Sequence, residues 1–255
     1  MDRYDFDIKG FVPTSLVDWP DRICSVIFLG GCSFRCPFCH NSRLVLQPDS
    51  FPSIPMTSIL EYLDCRRSWI DGVTVTGGEP TWTKNLPDLL SVFRHHGVSV
   101  KLDTNGSNPL LLERIIRDGL VQAVFMDVKA PLQGDLYSKV AGVRVNPLVM
   151  KRSIQVLRKA RLEVVFRTTV VPGLIAEPEL EAIKKELGEV QEFIVQRFRR
   201  ANTLDSGFSG VSEYSEDRFQ AMKRCYEIRH RCAVKDGLWS FQASTDGDYC
   251  REAAS

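Results

Sequence analysis

Two periods alternate along this chain: short apolar runs of strand length, and longer stretches in which apolar residues recur every three or four positions. Cys24-Ser25-Val26-Ile27-Phe28-Leu29 is a mostly apolar run ended by Gly30-Gly31, the pattern of a buried strand. Pro55 marks a boundary, and from about Thr57 the residues Ile59, Leu60, Leu63 and Ile70 predict a helix. Gly72-Val73-Thr74-Val75-Thr76 predicts a second strand, and Leu86, Leu89, Leu90 and Phe93 predict a helix that stops at Gly97. Residues 98–102 read as a third strand, Leu111, Leu112, Ile115 and Ile116 as a helix ending near Gly119, and residues 123–126 as a fourth strand. After a loop with Gly134 and Gly142, Met150, Ile154 and Leu157 mark a helix, followed by a strand at 162–169, a helix at 180–187 and a strand at 193–196.

Strands alternating with helices of this length imply βαβ units and a parallel sheet. The expected fold class is α/β, with six units forming a partial (βα)6 TIM-like barrel. Beyond Arg200 the alternation weakens: 206–210 reads as a loop, Ser215 to about His230 as a helix, Cys232-Ala233-Val234 as a last short strand, and the tail from Ser244 as polar and mobile. The chain is thus expected to divide into a core domain with an N-terminal lead-in, 1–205, and a C-terminal helix with a polar tail, 206–255. It carries no internal repeat and no low-complexity block.

Composition narrows this picture. A chain of 255 residues, 44% hydrophobic and 25% charged, has room for one sizeable core or one barrel-like domain. Its 33 basic against 32 acidic residues, a formal charge of +1, argue against a general nucleic-acid or membrane-surface role. No apolar run approaches the roughly 18 residues that span a bilayer, and Met1-Asp2-Arg3-Tyr4-Asp5 lacks the apolar stretch of a signal peptide. The expected location is cytoplasmic, where thiols stay reduced and available to metals.

Of eight cysteines, three fall in one short loop, Cys32-Ser33-Phe34-Arg35-Cys36-Pro37-Phe38-Cys39. A four-iron four-sulfur cluster takes four thiolates, so a loop that offers three leaves one iron open to a substrate or cofactor. A zinc knuckle or unrelated buried thiols are the alternatives. Zinc sites usually pair two C-x2-C arms or add histidines at fixed distances, and the only nearby histidine is His40, directly after the third cysteine. Cys24 and Cys65 read as small buried hydrophobes, while Cys225, Cys232 and Cys250 match no ligand spacing and read as structural.

Parallel barrels build their sites from loops at the C-terminal strand ends. The cysteine loop follows the first predicted strand, Gly77-Gly78-Glu79-Pro80 the second, Asp103-Thr104-Asn105-Gly106 the third and Asp127-Val128-Lys129 the fourth, with Arg167 near the end of the fifth. Glycines 77 and 78 let backbone approach a ligand closely, and Glu79 can accept from an ammonium, although the same turn also serves as a plain strand-to-helix connection. Asp103, Asp127 and Thr104 are hard oxygen donors suited to a small cation; equally, Asp103 can cap a turn while Asp127 pairs with Lys129. Lys129 and Arg167 suit a carboxylate ligand or a buried ion pair.

The C-x3-C-x2-C spacing with aromatic Phe38 before the last cysteine resembles the signature of the radical S-adenosylmethionine (radical SAM) enzymes, which implies the radical SAM fold. Ser15-Leu16-Val17-Asp18-Trp19-Pro20, Cys39-His40-Asn41, Lys101-Leu102-Asp103-Thr104-Asn105-Gly106, Met126-Asp127-Val128-Lys129 and Arg167-Thr168-Thr169-Val170-Val171-Pro172-Gly173, in that order, resemble the glycyl-radical-enzyme activating proteins. Within these the chain is most similar to the anaerobic ribonucleoside-triphosphate reductase activating proteins, with pyruvate formate-lyase activating enzymes as relatives; the likeness covers about residues 8–200. It implies an oxidoreductase in which Cys32, Cys36 and Cys39 ligate one 4Fe-4S cluster with an open iron, and S-adenosylmethionine is reductively cleaved to a 5′-deoxyadenosyl radical. The implied cofactor contacts are Phe38, Gly77, Gly78, Glu79, Asp103, Asn105, Lys129 and Arg167. A monovalent cation is implied at Asp103, Thr104, Asp127 and the Phe125 carbonyl. The implied partners are a glycyl-radical enzyme as protein substrate and a low-potential electron donor such as flavodoxin or ferredoxin, with no nucleic acid and no membrane. A radical SAM enzyme acting on a small molecule is the neighbouring reading, and a non-enzymatic iron-sulfur or zinc protein is the reading of another class. The family often has glycine after the proline of the Ser-Leu-x-Asp motif, where this chain has Asp21.

Overall fold

Short β-branched and aromatic runs form the sheet, and amphipathic stretches between them cover its outer face. The computed structural model describes residues 6–229, 231–235 and 238–242. In chain order the elements are β1 (Ile8–Ser15), β2 (Cys24–Leu29), α1 (Ser42–Leu46), α2 (Met56–Asp64), β3 (Gly72–Gly77), α3 (Leu86–His95), β4 (Ser99–Thr104), α4 (Pro109–Arg117), β5 (Ala123–Asp127), α5 (Leu136–Ala141), α6 (Pro147–Arg158), β6 (Glu163–Val170), α7 (Glu177–Leu187), β7 (Glu192–Arg197), α8 (Glu216–Tyr226), β8 (Ile228–Arg229), β9 (Arg231–Lys235) and β10 (Leu238–Gln242). Strands β2 to β7 lie side by side in chain order and all run parallel. β1 and β8 add antiparallel edges, so the sheet is an open, partial barrel; β9 and β10 form a separate hairpin.

Several elements differ from the sequence expectation. β1 has no counterpart in the sequence expectation: Gly10 and Pro13 interrupt a strand pattern, but an edge strand tolerates both, and its register slips twice against β2. α1 and α5 are too short to show a helical period. α2 ends at Asp64, so Ile70 lies beyond it, and Cys65 at its C-terminal cap is exposed rather than buried. α8 ends at Tyr226; His230 and Cys250, the Cys232 side chain and the tail from Ser244 lie outside the description.

Two apolar layers hold the barrel. The larger joins the outward strand residues to the helices and extends to Phe219 and Met222 of α8. The smaller lies inside: Trp19, Cys24, Val26, Ala123, Phe125 and Val165. Trp19 seals the N-terminal end of the strands. It is fully buried, its indole N–H donates to Glu163 Oε2 at 3.2 Å, and a Cβ on Gly72 would lie 2.8 Å from its ring. The Ser15 hydroxyl shapes the turn that delivers it, donating to Asp18 Oδ2 at 2.5 Å and accepting from the Val17 and Asp18 N–H groups. Asp21, where the resemblance implies glycine, adopts φ +60°, the left-handed region where glycine is at ease and aspartate is tolerated. Among the described residues no helix is long and apolar enough to cross a membrane.

Removing the plug leaves a large internal void: Trp19→Ala should lower unfolding free energy by about 3 to 5 kcal/mol, measured by urea denaturation.

Candidate active site

The cysteine loop rises from the end of β2, and its base lies flush against the turn after β3. Gly78 N–H donates to Leu29 O and Glu79 N–H to Gly31 O, each at 2.9 Å. A Cβ on Gly78 would sit 1.8 Å from Gly31 O, and one on Gly77, at φ +123°, 2.3 Å from Leu29 O. The two glycines therefore permit contact between two pieces of the chain's own backbone, where the sequence suggested close approach to a ligand. Asn41 Nδ2 donates to Gly77 O at 2.5 Å and closes the loop from its far end.

Residues with no sequence signal fix the rest of the loop. The Arg35 guanidinium donates to the carbonyls of Cys32 (2.6 Å) and Phe34 (2.8 Å), and Arg35 N–H donates to Ala141 O at the end of α5. Gly142 has to be glycine there, since a Cβ would lie 2.0 Å from Arg35 O. From the other side the segment after β7 docks on the loop. Asp205 N–H donates to Pro37 O at 2.8 Å, His40 Nδ1 lies 2.9 Å from Ala201 O, and Ser42 Oγ donates to Asn202 O at 3.1 Å. Phe38 is buried, with its ring 6.3 Å from that of Phe208. His40 thus serves to fasten the loop.

Glu79, expected as an acceptor for an ammonium, has its carboxylate engaged within the chain. Its buried carboxylate takes four bonds from its own chain: from Thr81 N–H and Oγ1, from Thr104 Oγ1 at 2.7 Å and from Asn105 N–H at 2.6 Å. Burial pushes its carboxyl above the usual range against these donors. It ties the β3 turn to the end of β4. Asn105 in turn reaches the cysteine loop, with Nδ2 3.1 Å from Ser33 Oγ and 3.7 Å from Cys32 Sγ.

Inside the rim a chain of charges crosses three strands. Lys101 and Asp103 on β4 are in contact; Arg167 on β6 lies 3.6 Å from Asp103 and 2.8 Å from Asp127; and Lys129 lies 2.9 Å from Asp127. Burial alone would raise the Asp127 carboxyl, but Arg167 and Lys129 outweigh it and hold it at about 2. Burial likewise opposes the charge of Lys129 and Arg167, yet their carboxylate neighbours lift both well above their ordinary values. The Asp127–Lys129 pairing is thus present, whereas Asp103 meets cations instead of capping a turn. Thr104 faces the other side of β4, toward Glu79, so it does not join Asp103 and Asp127 as the third oxygen of the cation set implied by the resemblance.

Burial pushes the Cys32 thiol up to about 11 and the Cys36 thiol to about 12, and raises Cys39; the Lys129 ammonium opposes it at all three. Lys129 is therefore placed to compensate charge on this triad. Among the described residues no three His, Cys, Asp or Glu side chains converge as ligands of one ion. Three cysteine thiols on one loop are a donor set of the kind a cubane takes, one thiolate to each of three irons.

The radical SAM superfamily profile matches residues 26–185, more than half the chain, and the chain belongs to that superfamily. Its relatives narrow the class. A Methanocaldococcus jannaschii protein named as a glycyl-radical enzyme activating enzyme is 29% identical over 220 residues, 84% of this chain and 89% of its own. The pyruvate formate-lyase-activating enzyme of Streptococcus mutans is 30% identical over 215 residues, 78% of this chain and 79% of its own. The anaerobic ribonucleoside-triphosphate reductase-activating protein of Escherichia coli K12 is 29% identical over 86 residues, 33% of this chain and 55% of its own. Among solved structures, TYW1 with a lysine-pyruvate adduct bound superposes with a TM-score of 0.55 at 14% identity, over 86% of this chain and 80% of that one. Streptococcus suis SuiB reaches 0.60 at 14% identity, over 79% and 45%. Both likenesses concern the fold alone.

Gly78→Ala forces the β3 turn off the cysteine loop and should cost about 2 kcal/mol or more in urea denaturation. Gly97→Ala, where φ is +69° and the space is open, should cost only about 1 kcal/mol. Because the Asp127 carboxyl is depressed in the folded state, its stabilisation, on the order of 2 kcal/mol, is whole above about pH 4 and is lost as pH falls toward 2. The stability gap between wild type and Asp127→Asn should narrow over that window.

Proposed function

We propose that this protein installs a glycyl radical on a partner enzyme, with anaerobic ribonucleoside-triphosphate reductase as the partner. The observation that carries this reading is a three-thiol loop pinned at the C-terminal rim of an open barrel, beside an ion cluster with one positive charge in excess. Relatives named as activating enzymes over most of the chain support the glycyl-radical step, and the choice of the reductase follows the likeness to a reductase-activating protein over 33% of this chain.

In this reading Cys32, Cys36 and Cys39 hold a 4Fe-4S cluster. The cluster and S-adenosylmethionine, when bound, supply one-electron cleavage to methionine and a 5′-deoxyadenosyl radical. The chain's own residues position and shield. Asn41, Arg35 and the Gly77–Gly78 contact keep the thiols in place, and Lys129 compensates their charge as thiolates. Gly78, the Glu79 backbone, Phe38 and Asn105 border the loop where the methionine end is held, and Arg167 with Lys129 presents positive charge to its carboxylate. Trp19 and Phe125 keep water from entering through the barrel floor. The electron comes from a low-potential donor such as flavodoxin or ferredoxin, in the cytoplasm, where thiols remain reduced.

Anaerobically reconstituted protein given reductant, S-adenosylmethionine and the reductase should yield 5′-deoxyadenosine and a glycyl-radical signal by electron paramagnetic resonance, and Cys36→Ala should yield neither. Cleavage without a radical on any glycyl-radical enzyme of the same organism would point instead to a small-molecule substrate. Protein that takes up zinc alone would remove the enzyme reading.

A further inference from the structure

Lys101 is the deepest charge in the barrel. Its side chain is 0% exposed, its ammonium contacts Asp103 Oδ1, and it lies 4.3 Å from the centre of the Phe125 ring. Arg167 sits over the same ring at 5.5 Å and spans Asp103 and Asp127. The ordering follows exposure: Lys101 is sealed, Asp103 and Arg167 are 15% and 14% exposed, and Asp127 is 27% exposed toward the rim. Burial, with the Arg167 charge beside it, holds the Lys101 ammonium below its ordinary value, and Asp103 is the main group that opposes this.

This arrangement does not fit the alkali cation that the resemblance implies. Both carboxylates of the donor set are held by organic cations, and the third donor, Thr104, faces the opposite side of its strand. Lys101 and Arg167 both contact Asp103 Oδ1, and Arg167 and Lys129 take one oxygen each of Asp127, so a monovalent ion brought beside these carboxylates shares them with three organic cations, and like charges at that range repel.

We propose that Lys101 is a built-in counter-ion: its ammonium occupies the electrostatic role of an alkali cation, so that the site binds its ligand carboxylate without one. Lys101 neutralises Asp103 from below. Arg167 and Lys129 then share Asp127 and retain one net positive charge at the rim, enough for one carboxylate. Lys101 acts through Asp103 and Arg167 and is a positioning residue. The identity of the anion rests on the cofactor reading above; the ion pairs do not.

The test compares potassium, sodium and tetramethylammonium chloride at one ionic strength, using the full chain with its cluster reconstituted, as wild type and as Lys101→Met. Two quantities are read, melting temperature and S-adenosylmethionine affinity by equilibrium dialysis. Wild type should melt alike in all three salts and bind S-adenosylmethionine with a Kd that varies by less than about twofold. Lys101→Met should bind about tenfold more weakly in tetramethylammonium and recover in potassium, because Asp103 then has room and charge for an alkali ion. A purely structural lysine would give no ion-specific recovery. The proposal is overturned if wild type melts higher or binds markedly tighter in potassium than in tetramethylammonium, or if folded Lys101→Met binds as wild type in every salt. If Lys101→Met does not fold, the wild-type comparison decides alone. If wild type binds no S-adenosylmethionine in any salt, the cofactor reading fails, while the melting comparison still decides the role of Lys101.

Discussion

Charge inside an apolar barrel is tolerable only when each group faces an opposite charge or has its hydrogen bonds filled, and that constraint organises this molecule from floor to rim. Lys101, Asp103, Arg167, Asp127 and Lys129 alternate in sign across β4, β5 and β6, so three neighbouring strands are tied by one network. Arg167 is the joint, since its guanidinium meets carboxylates from two different strands. Phe125 gives the two deepest cations a π face in place of water. Trp19 closes the end where the strands begin, which leaves the C-terminal rim as the open side.

The cysteine loop meets that rim as a rigid part. Backbone touches backbone at Gly77 and Gly78, Arg35 bonds two of the loop's own carbonyls, and the end of α5 and residues 201–208 press on it from opposite sides. A loop so supported holds its three thiols in a fixed arrangement, which lowers the ordering cost of anything they bind. The same supports shield the thiols from water, Cys36 almost completely and Cys32 and Cys39 in part, which raises all three, and Lys129 opposes the effect at each.

Much of this was legible along the chain. The runs at 24–29, 72–76 and 123–126 are apolar over strand length, and the residues between them repeat at helical spacing, so six parallel strands and their covering helices follow from local pattern. The grouping of Cys32, Cys36 and Cys39 is legible in the sequence because neighbours on one loop need no distant partner to be brought together.

What local pattern leaves open is which partner a polar group finds, because that depends on register between strands far apart in sequence. Glu79 reads as a free acceptor until β4 brings Thr104 and Asn105 to its carboxylate. Gly77 and Gly78 read as room for a ligand until β2 and β3 pair and bring Leu29 and Gly31 against them. β1 escapes notice because Gly10 and Pro13 interrupt its pattern, and only the exposed edge of β2 makes a strand of it. Lys101 shows the division most plainly: in sequence it is one lysine before a motif, and the alternation of β4 together with the closeness of β5 and β6 turns it into a sealed internal cation. Neighbouring residues alone determined the six parallel strands, the longer helices and the grouping of the thiols; the tertiary structure decided the edge strand and the charge pairing, since Coulomb energy depends on distances that only the folded barrel creates.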